Sequence, residues 1–498
     1  MNLKRFFKYT FLLIGLTGSL VSCEKFLDVN TDPNNILDAP IEQVYTTATA
    51  SLGFFAGSDL SRYSALIAQQ WSGTLVNQTG EYERYNITGS DMNNVWDLAY
   101  STVLSDLELV IQKSVAEKSP TYGGTAKIMK AYMFQLMVDA WGKIPYSEAL
   151  KFTANKSPKF DDGSTIYPAL IALIDEGIAN IKDTTSVKSP GTNGTIFTGS
   201  WISQKPKWER LANTLKMRMY LHYSKIDKAK AVTEIGKLAT ANLMTSAADN
   251  FQMPFFNASG QYNPIHQFEV SRANYLFANA TLVDLMNGKT DPRRAKYFTT
   301  FPLNSGQYKG SVGGNVSSNI KFSRLFTFLR GDTTNTAAVV PASDGSIGAT
   351  SYSFTGTAPI RMLTFAEYNF IRAEAAILGV AGVSADSFFR VGIRASMSQA
   401  GISAAATEAY ILTNGVLVGT DNQKIKQIIE EKFVANYGVI MESWTDFRRT
   451  GFPTIVAPTN AVMPTVPRSL PYPQSDIDLN PNAPKPKTDL SEKVFWDN

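Results

Sequence analysis

Residue types able to do covalent chemistry are sparse in this chain of 498 residues, which has two histidines, His222 and His266, and one cysteine, Cys23. His222 falls in a helical pattern and His266 in a loop-like stretch, and neither stands near a nucleophile turn, so a Ser-His-Asp arrangement has little to draw on. No Cys or His pair has zinc spacing, and no metal or cofactor is expected. Gly288-Lys289-Thr290 mimics the end of a phosphate-binding loop, but the first glycine of that motif would fall at Val283. Carboxylate pairs could serve a glycosidase, which needs two. Glu367 and Glu374 are seven apart and share a helix face, whereas Glu430 and Glu431 are adjacent and point apart. The plainer reading of Glu367 and Glu374 is ion pairing between helices with Arg361, Arg372 or Arg448.

The N-terminus reads as an export signal. Lys4, Arg5 and Lys8 precede an apolar run from Phe11 to Leu20, too short to span a bilayer. Leu20-Val21-Ser22-Cys23 then resembles the lipobox of bacterial lipoproteins. Residues 1–22 are the expected signal peptide, Cys23 the lipidation site, and residues 23–39 a polar tether with a turn at Asp32-Pro33-Asn34. A lone cysteine excludes an internal disulfide, so the fold must stand on its own core. Once Lys4, Arg5 and Lys8 are removed, 44 basic residues face 43 acidic ones. That balance gives no electrostatic case for nucleic acid.

Helical periodicity dominates the remainder, expected as one domain over 40–498. Helices are predicted near 40–55, 60–71, 91–117, 123–140, 165–182, 206–224, 227–240, 272–287, 362–378, 385–399 and 421–437. Ile425, Ile428, Ile429 and Phe433 show the spacing. Asp291-Pro292-Arg293-Arg294 is a helix start. Small residues Ala373, Ala375 and Ala376 suit closely packed antiparallel helix pairs, and Gly379 a left-handed cap. Residues 304–360, rich in Gly, Ser, Thr and Asn, read as long surface loops. The proline-rich stretch from Pro453 to Pro486 reads as a non-helical tail laid over the domain.

Ordered motifs then span the chain. They are Glu24-Lys25-Phe26-Leu27-Asp28 after the cysteine, Trp141-Gly142-Lys143-Ile144-Pro145-Tyr146-Ser147-Glu148-Ala149, and Trp208 followed by Ala212-Asn213-Thr214-Leu215-Lys216. Next come Asp291-Pro292-Arg293, Ala366-Glu367-Tyr368 with Ala373-Glu374-Ala375, and Glu442, Trp444, Asp446, Arg448, Arg449, Gly451 and Pro453. Together they resemble the SusD/RagB family of outer-membrane lipoproteins, in its SusD-like branch. The chain departs from the family pattern at Met441, where glycine is frequent, and at Arg294, Ser469 and Asp476. The resemblance implies an all-α, tetratricopeptide-like scaffold of helix pairs with long loops. It also implies a nutrient-binding protein at the cell exterior, the lid of a SusC-like TonB-dependent outer-membrane transporter. In this reading the motif tryptophans Trp141, Trp208 and Trp444 pack in the core.

Ligand residues do not carry over from the family, because its ligand loops vary. Sugar rings stack on aromatic faces while amides and carboxylates meet their hydroxyls. On that chemistry the candidates are Trp71 with Asn77 and Gln78, Tyr82 and Tyr85; Trp201; and Asn257, Tyr262 and Asn263. Trp96, at a helix start, is weaker. A glycan ligand is favoured, with a peptide or other nutrient on the same scaffold as the alternative. A glycosidase using Glu367 and Glu374 is the third reading.

Overall fold

Paired helices follow from the sequence's caps and breakers. The computed structural model describes residues 39–498 apart from 75–76, 315–320, 336–338, 349–350 and 383. Cys23, the export signal and all of the expected tether except Ala39 therefore lie outside the described residues. Pro120 opens the helix Pro120–Trp141 at a position where its missing N–H costs nothing, and Gly142, at φ 84°, ends it. Gly163–Lys182 returns against it, and Trp201–His222 packs chiefly against that second helix. Two glycines let the first pair close: a Cβ on Gly124 would sit 2.7 Å from the Gly177 carbonyl oxygen, and one on Gly177 would sit 3.0 Å from that of Gly124. Late in the chain, Thr364, Ser384, Ser403 and Thr420 each accept an amide N–H at the start of a helix. These helices are Phe365–Leu378, Ala385–Gln399, Ala404–Asn414 and Asp421–Ala435.

Strand structure among the described residues is confined to three two-stranded antiparallel ribbons. Trp71–Ser72 pairs with Phe277–Ala278, Lys143–Pro145 with Phe160–Asp162, and Phe251–Met253 with Ile360–Leu363. The first ribbon corrects the helix expected over 272–287. The backbone extends at 277–278 to pair with Trp71, leaving Pro264–Ser271 and Ala280–Gly288 as separate helices. His266 lies in the former, not in a loop. A turn of helix, Gln474–Leu479, also interrupts the proline-rich tail, because Pro473 stands just before it, where its ring and missing N–H are tolerated. The predicted start at Asp291 carries only the single turn Arg294–Tyr297.

The motif tryptophans Trp141, Trp208 and Trp444 are fully buried, as expected. Around them the helices are joined by buried charge. Arg218 holds Glu367 through two bonds of 2.8 Å and lies 3.4 Å from Glu442. Lys432 reaches Asp446 at 2.8 Å and Glu442 at 3.6 Å. Arg449 forks onto Glu374 and contacts Asp446 at 2.9 Å. The partners expected for Glu367 and Glu374 are thus corrected. Arg361 lies over the Phe328 ring, Arg372 bonds the Tyr368 hydroxyl, and Arg448 bonds the carbonyls of Asp139 and Arg468. Helix geometry from one sequence fixes which face a residue shares, but not which distant helix meets it.

Met441 has φ 67°, the left-handed region that glycine enters freely, and is fully buried. That backbone requirement accounts for the glycine frequent there in the family.

A second buried cluster supports the Asp291-Pro292-Arg293 turn. Arg293 bonds Asp291 and, at 2.8 Å, Glu431; Lys289 and the Tyr410 hydroxyl meet Glu431 at 2.9 and 2.6 Å. Burial alone would raise the Glu431 carboxyl, but Lys289 and Arg293 outweigh it and hold it down at about 2. With its folded value below the ordinary 4.5, Glu431 contributes stability above pH 4.5 that fades as pH falls toward 2. Glu431→Gln should therefore cost about 3 kcal/mol at pH 7, the scale of breaking a buried pair. Chemical denaturation from pH 7 down to pH 3 should show the gap to wild type narrowing; a gap that stays constant would contradict the ionic assignment.

Candidate functional site

The ligand residues expected from sequence divide sharply by exposure. Trp71 is 0 % exposed, inside its ribbon, with neither ring face open to a ligand; its stacking role is withdrawn. Asn263 is 1 % exposed; its side-chain Oδ1 accepts the Ile265 and His266 amides and its NH2 donates to the Ala358 carbonyl, so it caps a helix. Tyr85 is buried, at φ 70°, and borders a different depression near Tyr472 and Lys487. Trp201 is the first residue of a helix, not a loop aromatic, and packs partly against the core. Asn257 is exposed and Tyr262 half-buried, edge-on to His266. Asn77 is half-buried and joins segments, donating to the Thr74 hydroxyl at 3.0 Å and the Asn274 carbonyl at 3.3 Å.

Gln78 and Tyr82 are the expected residues that line a polar cavity, of ≈ 380 Å³, where four helices meet. Asp59–Ile67 brings Asp59, Arg62 and Tyr63, which its period places on one face. Gln78–Glu83 brings Gln78 and Tyr82; Gly89–Asp97 brings Ser90, Asp91 and Asn94; Pro264–Ser271 brings Phe268, with Arg272 just past its end. Asp91 ties these together. One carboxylate oxygen accepts from the Thr88 amide and hydroxyl at 2.8 and 2.7 Å, and the other accepts from the Tyr82 hydroxyl at 2.9 Å. The Tyr63 hydroxyl bonds the Asp91 carbonyl at 3.0 Å. Thr79 donates to the Tyr275 carbonyl at 2.5 Å, which fastens the segment bearing Arg272.

Charge converges on one ring. The Arg62 guanidinium lies 4.1 Å from the Phe268 centroid and Arg272 lies 5.8 Å from it. Asp59 pairs with Arg62. Burial, with a smaller contribution from the Arg272 charge, draws Arg62 down to about 10, and burial pushes the Tyr82 hydroxyl up to about 12. Gln78, Ser90, Asn94 and Arg272 remain exposed. The result is a rigid floor of aromatic rings under amide, hydroxyl and guanidinium groups, suited to a ligand rich in hydroxyls. Both carboxylates are engaged, Asp59 by a cation and Asp91 by three donors.

Sequence reasoning missed Arg62, Phe268 and Arg272. Arg62 falls in the helix predicted over 60–71, Arg272 opens the one predicted over 272–287, and Phe268 lies in a helix, Pro264–Ser271, that local patterning did not show. The signal available was charge on an otherwise apolar face, as at Arg62.

Asp139, His222 and Glu442 form the one group among the described residues with metal-ligand proximity, their ligating atoms within 4.8 Å of one another. Asp139 already accepts from the Trp496 indole at 2.7 Å, the Gln135 amide at 2.5 Å and the Tyr167 hydroxyl. Arg218 and Lys432 already flank Glu442. The donors suit a charge network better than an added cation. Glu367 and Glu374 are likewise buried and fully ion-paired, away from any substrate.

Over residues 33–473 the sequence matches the SusD-like family described as starch-binding and associating with the outer membrane. Among curated proteins nothing matches the chain. Three similar solved structures share the fold. A chitin-binding SusD homologue from Flavobacterium johnsoniae is 21% identical, covering 92% of this chain and 98% of its own, with TM-score 0.73. A SusD homologue from Bacteroides uniformis is 21% identical, with coverages of 91% and 99% and TM-score 0.71. A SusD-like protein from Bacteroides thetaiotaomicron is 21% identical, with coverages of 92% and 98% and TM-score 0.73.

Capping and contact roles separate by experiment. Asn263→Ala should lower stability by about 1–2 kcal/mol, the cost of losing a helix cap, and leave ligand affinity unchanged. Thermal melts alongside calorimetric titration check this; lost affinity in a fully stable variant would return Asn263 to the ligand site.

Proposed function

The chain belongs to the SusD-like family, and on that premise we propose that it captures a glycan at the cell surface and presents it to a SusC-like TonB-dependent outer-membrane transporter. The observation that carries the glycan reading is the cavity around Phe268. It sets the half-buried Phe268 ring beside the exposed amide and guanidinium groups of Gln78, Asn94 and Arg272, an apolar and polar pairing that suits a sugar. The chitin-binding relative and the starch-binding description of the family point to the same ligand class.

Lipid on Cys23 anchors the protein in this reading. Its support is the sequence Leu20-Val21-Ser22-Cys23 together with the absence of any other cysteine. Among the described residues no helix is long and apolar enough to cross a membrane. More than one acyl chain would be needed for firm attachment. The protein acts as a lid: ligand held between it and the transporter favours closure through contacts that are missing when open. A catalytic role gains no support from Glu367 and Glu374, since neither reaches solvent.

Titration of the purified protein with panels of oligosaccharides and peptides, followed by product analysis, tests this reading. Binding of an oligosaccharide without turnover is expected, and Arg272→Ala should weaken it about tenfold or more, the scale of a hydrogen bond to a charged group. Arg272 is exposed, so the melting temperature should stay the same. Binding of peptides alone, or release of cleaved sugar, would overturn the assignment. Cys23→Ala should release the protein from membranes; an unmodified Cys23 in membrane-bound protein, seen by mass spectrometry, would refute the anchor.

A further inference from the structure

Along the helix Gly89–Asp97 and its continuation through the wider π turn Leu98–Leu104, four positions are exposed: Ser90, Asn94, Asp97 and Ser101. Their spacing of four, three and four residues puts them in one stripe. Ser90 and Asn94 border the cavity around Phe268, whereas Asp97 and Ser101 border a second cavity, of ≈ 420 Å³. Less than one helical turn separates Asn94 from Asp97, so the two cavities are neighbours on a single polar track.

The second cavity is built as firmly as the first. The Tyr100 hydroxyl donates to the Pro145 carbonyl at 2.6 Å and fastens one wall to the helix. The Ser475 amide donates to the Asn93 side-chain oxygen at 3.0 Å and fastens the other. On the first wall Phe152 is 49% exposed, and both it and Leu150 hold left-handed backbone, at φ 50° and 60°. Two strained non-glycine residues this close together, presenting an apolar ring to solvent at a cavity wall, fit a binding role better than a packing one. Ser101 donates to Asp97 at 2.6 Å, which orients that carboxylate at the cavity edge. Asn155, held by Glu148 at 3.3 Å and the Ser157 amide at 3.1 Å, lines the same cavity with its remaining amide hydrogen and lone pair.

We propose that the two cavities are consecutive subsites of one groove, and that its ligand is a linear oligosaccharide lying along the helix. The stripe from Ser90 to Ser101 runs on the order of 16 Å at ~1.5 Å per residue, which accommodates several linked sugar rings and not one. In the first subsite a sugar meets Arg272 and Gln78; in the second, a ring further along the chain packs on Phe152 while Asp97 and Asn155 take its hydroxyls. This inference rests on the glycan reading above and adds to it a requirement for chain length.

Calorimetric titration with chitooligosaccharides and maltooligosaccharides, from disaccharide to hexasaccharide, tests the groove. Affinity of the wild type for the series it binds should climb with length and then level off. Phe152→Ala should weaken the hexasaccharide about five- to tenfold, the scale of an aromatic contact, and leave the disaccharide unchanged. Asp97→Ala, at an exposed position, should show the same split, so the test survives if Phe152→Ala folds poorly. Arg272→Ala should weaken every length. Affinity independent of length, or equal losses for short and long chains in the Asp97 variant, would overturn the groove and leave the first subsite standing. Failure of the wild type to bind any member of either series would overturn both.

Discussion

The fold depends on a buried network of ion pairs. Arg218, Lys432 and Arg449 sit among Glu367, Glu374, Glu442 and Asp446, contributed by the helices Trp201–His222, Phe365–Leu378, Asp421–Ala435 and Glu442–Thr450. Taking each ion out of water costs several kcal/mol, and the cost is recovered only when every partner stands in place. An arrangement in which one helix slides strands a charge for all the others. Burial alone would raise the Glu442 carboxyl; Arg218 and His222 hold it well below the usual range instead. The network thereby selects one register among the ways these amphipathic helices could pack. It also gives the late sequence motifs a structural role: they supply Glu367, Glu374, Glu442, Asp446 and Arg449 to the network and Trp444 beside it.

That division explains what could and could not be read from sequence. Helix positions were legible because caps such as Thr364 and Thr420, and breakers such as Pro120 and Gly142, act locally. The break at Phe277 was not, since it is imposed by pairing with Trp71 some two hundred residues away. The same ribbon buries Trp71, whose polar neighbours made it look like a surface aromatic. Asn263 misled for a related reason: an amide that caps a helix and an amide that meets a sugar have one composition. Tyr82, which lines the cavity, was legible as a candidate because its aromatic and polar surroundings are local. Arg62, Phe268 and Arg272 were not, because their convergence depends on how three segments meet.

A rigid frame also suits the proposed task. A protein that hands a ligand to a transporter gains most when its own site is already formed, since ordering on binding costs affinity. Asp91 serves that end by using both carboxylate oxygens and its carbonyl within the protein. Tyr63, Tyr82 and the start of the helix Gly89–Asp97 are held by bonds within the protein. What remains free to engage a ligand is the outer row of Gln78, Ser90, Asn94 and Arg272.

In the proposed function a glycan lies against Phe268 between Arg272 and Gln78. A crystal structure of the protein grown with an oligosaccharide it binds in solution tests this most directly. Sugar density is expected in that cavity, with hydroxyls within hydrogen-bond distance of the Arg272 guanidinium. Density confined to the loop around Asn257 and Tyr262, with the Phe268 cavity holding only water, would contradict it.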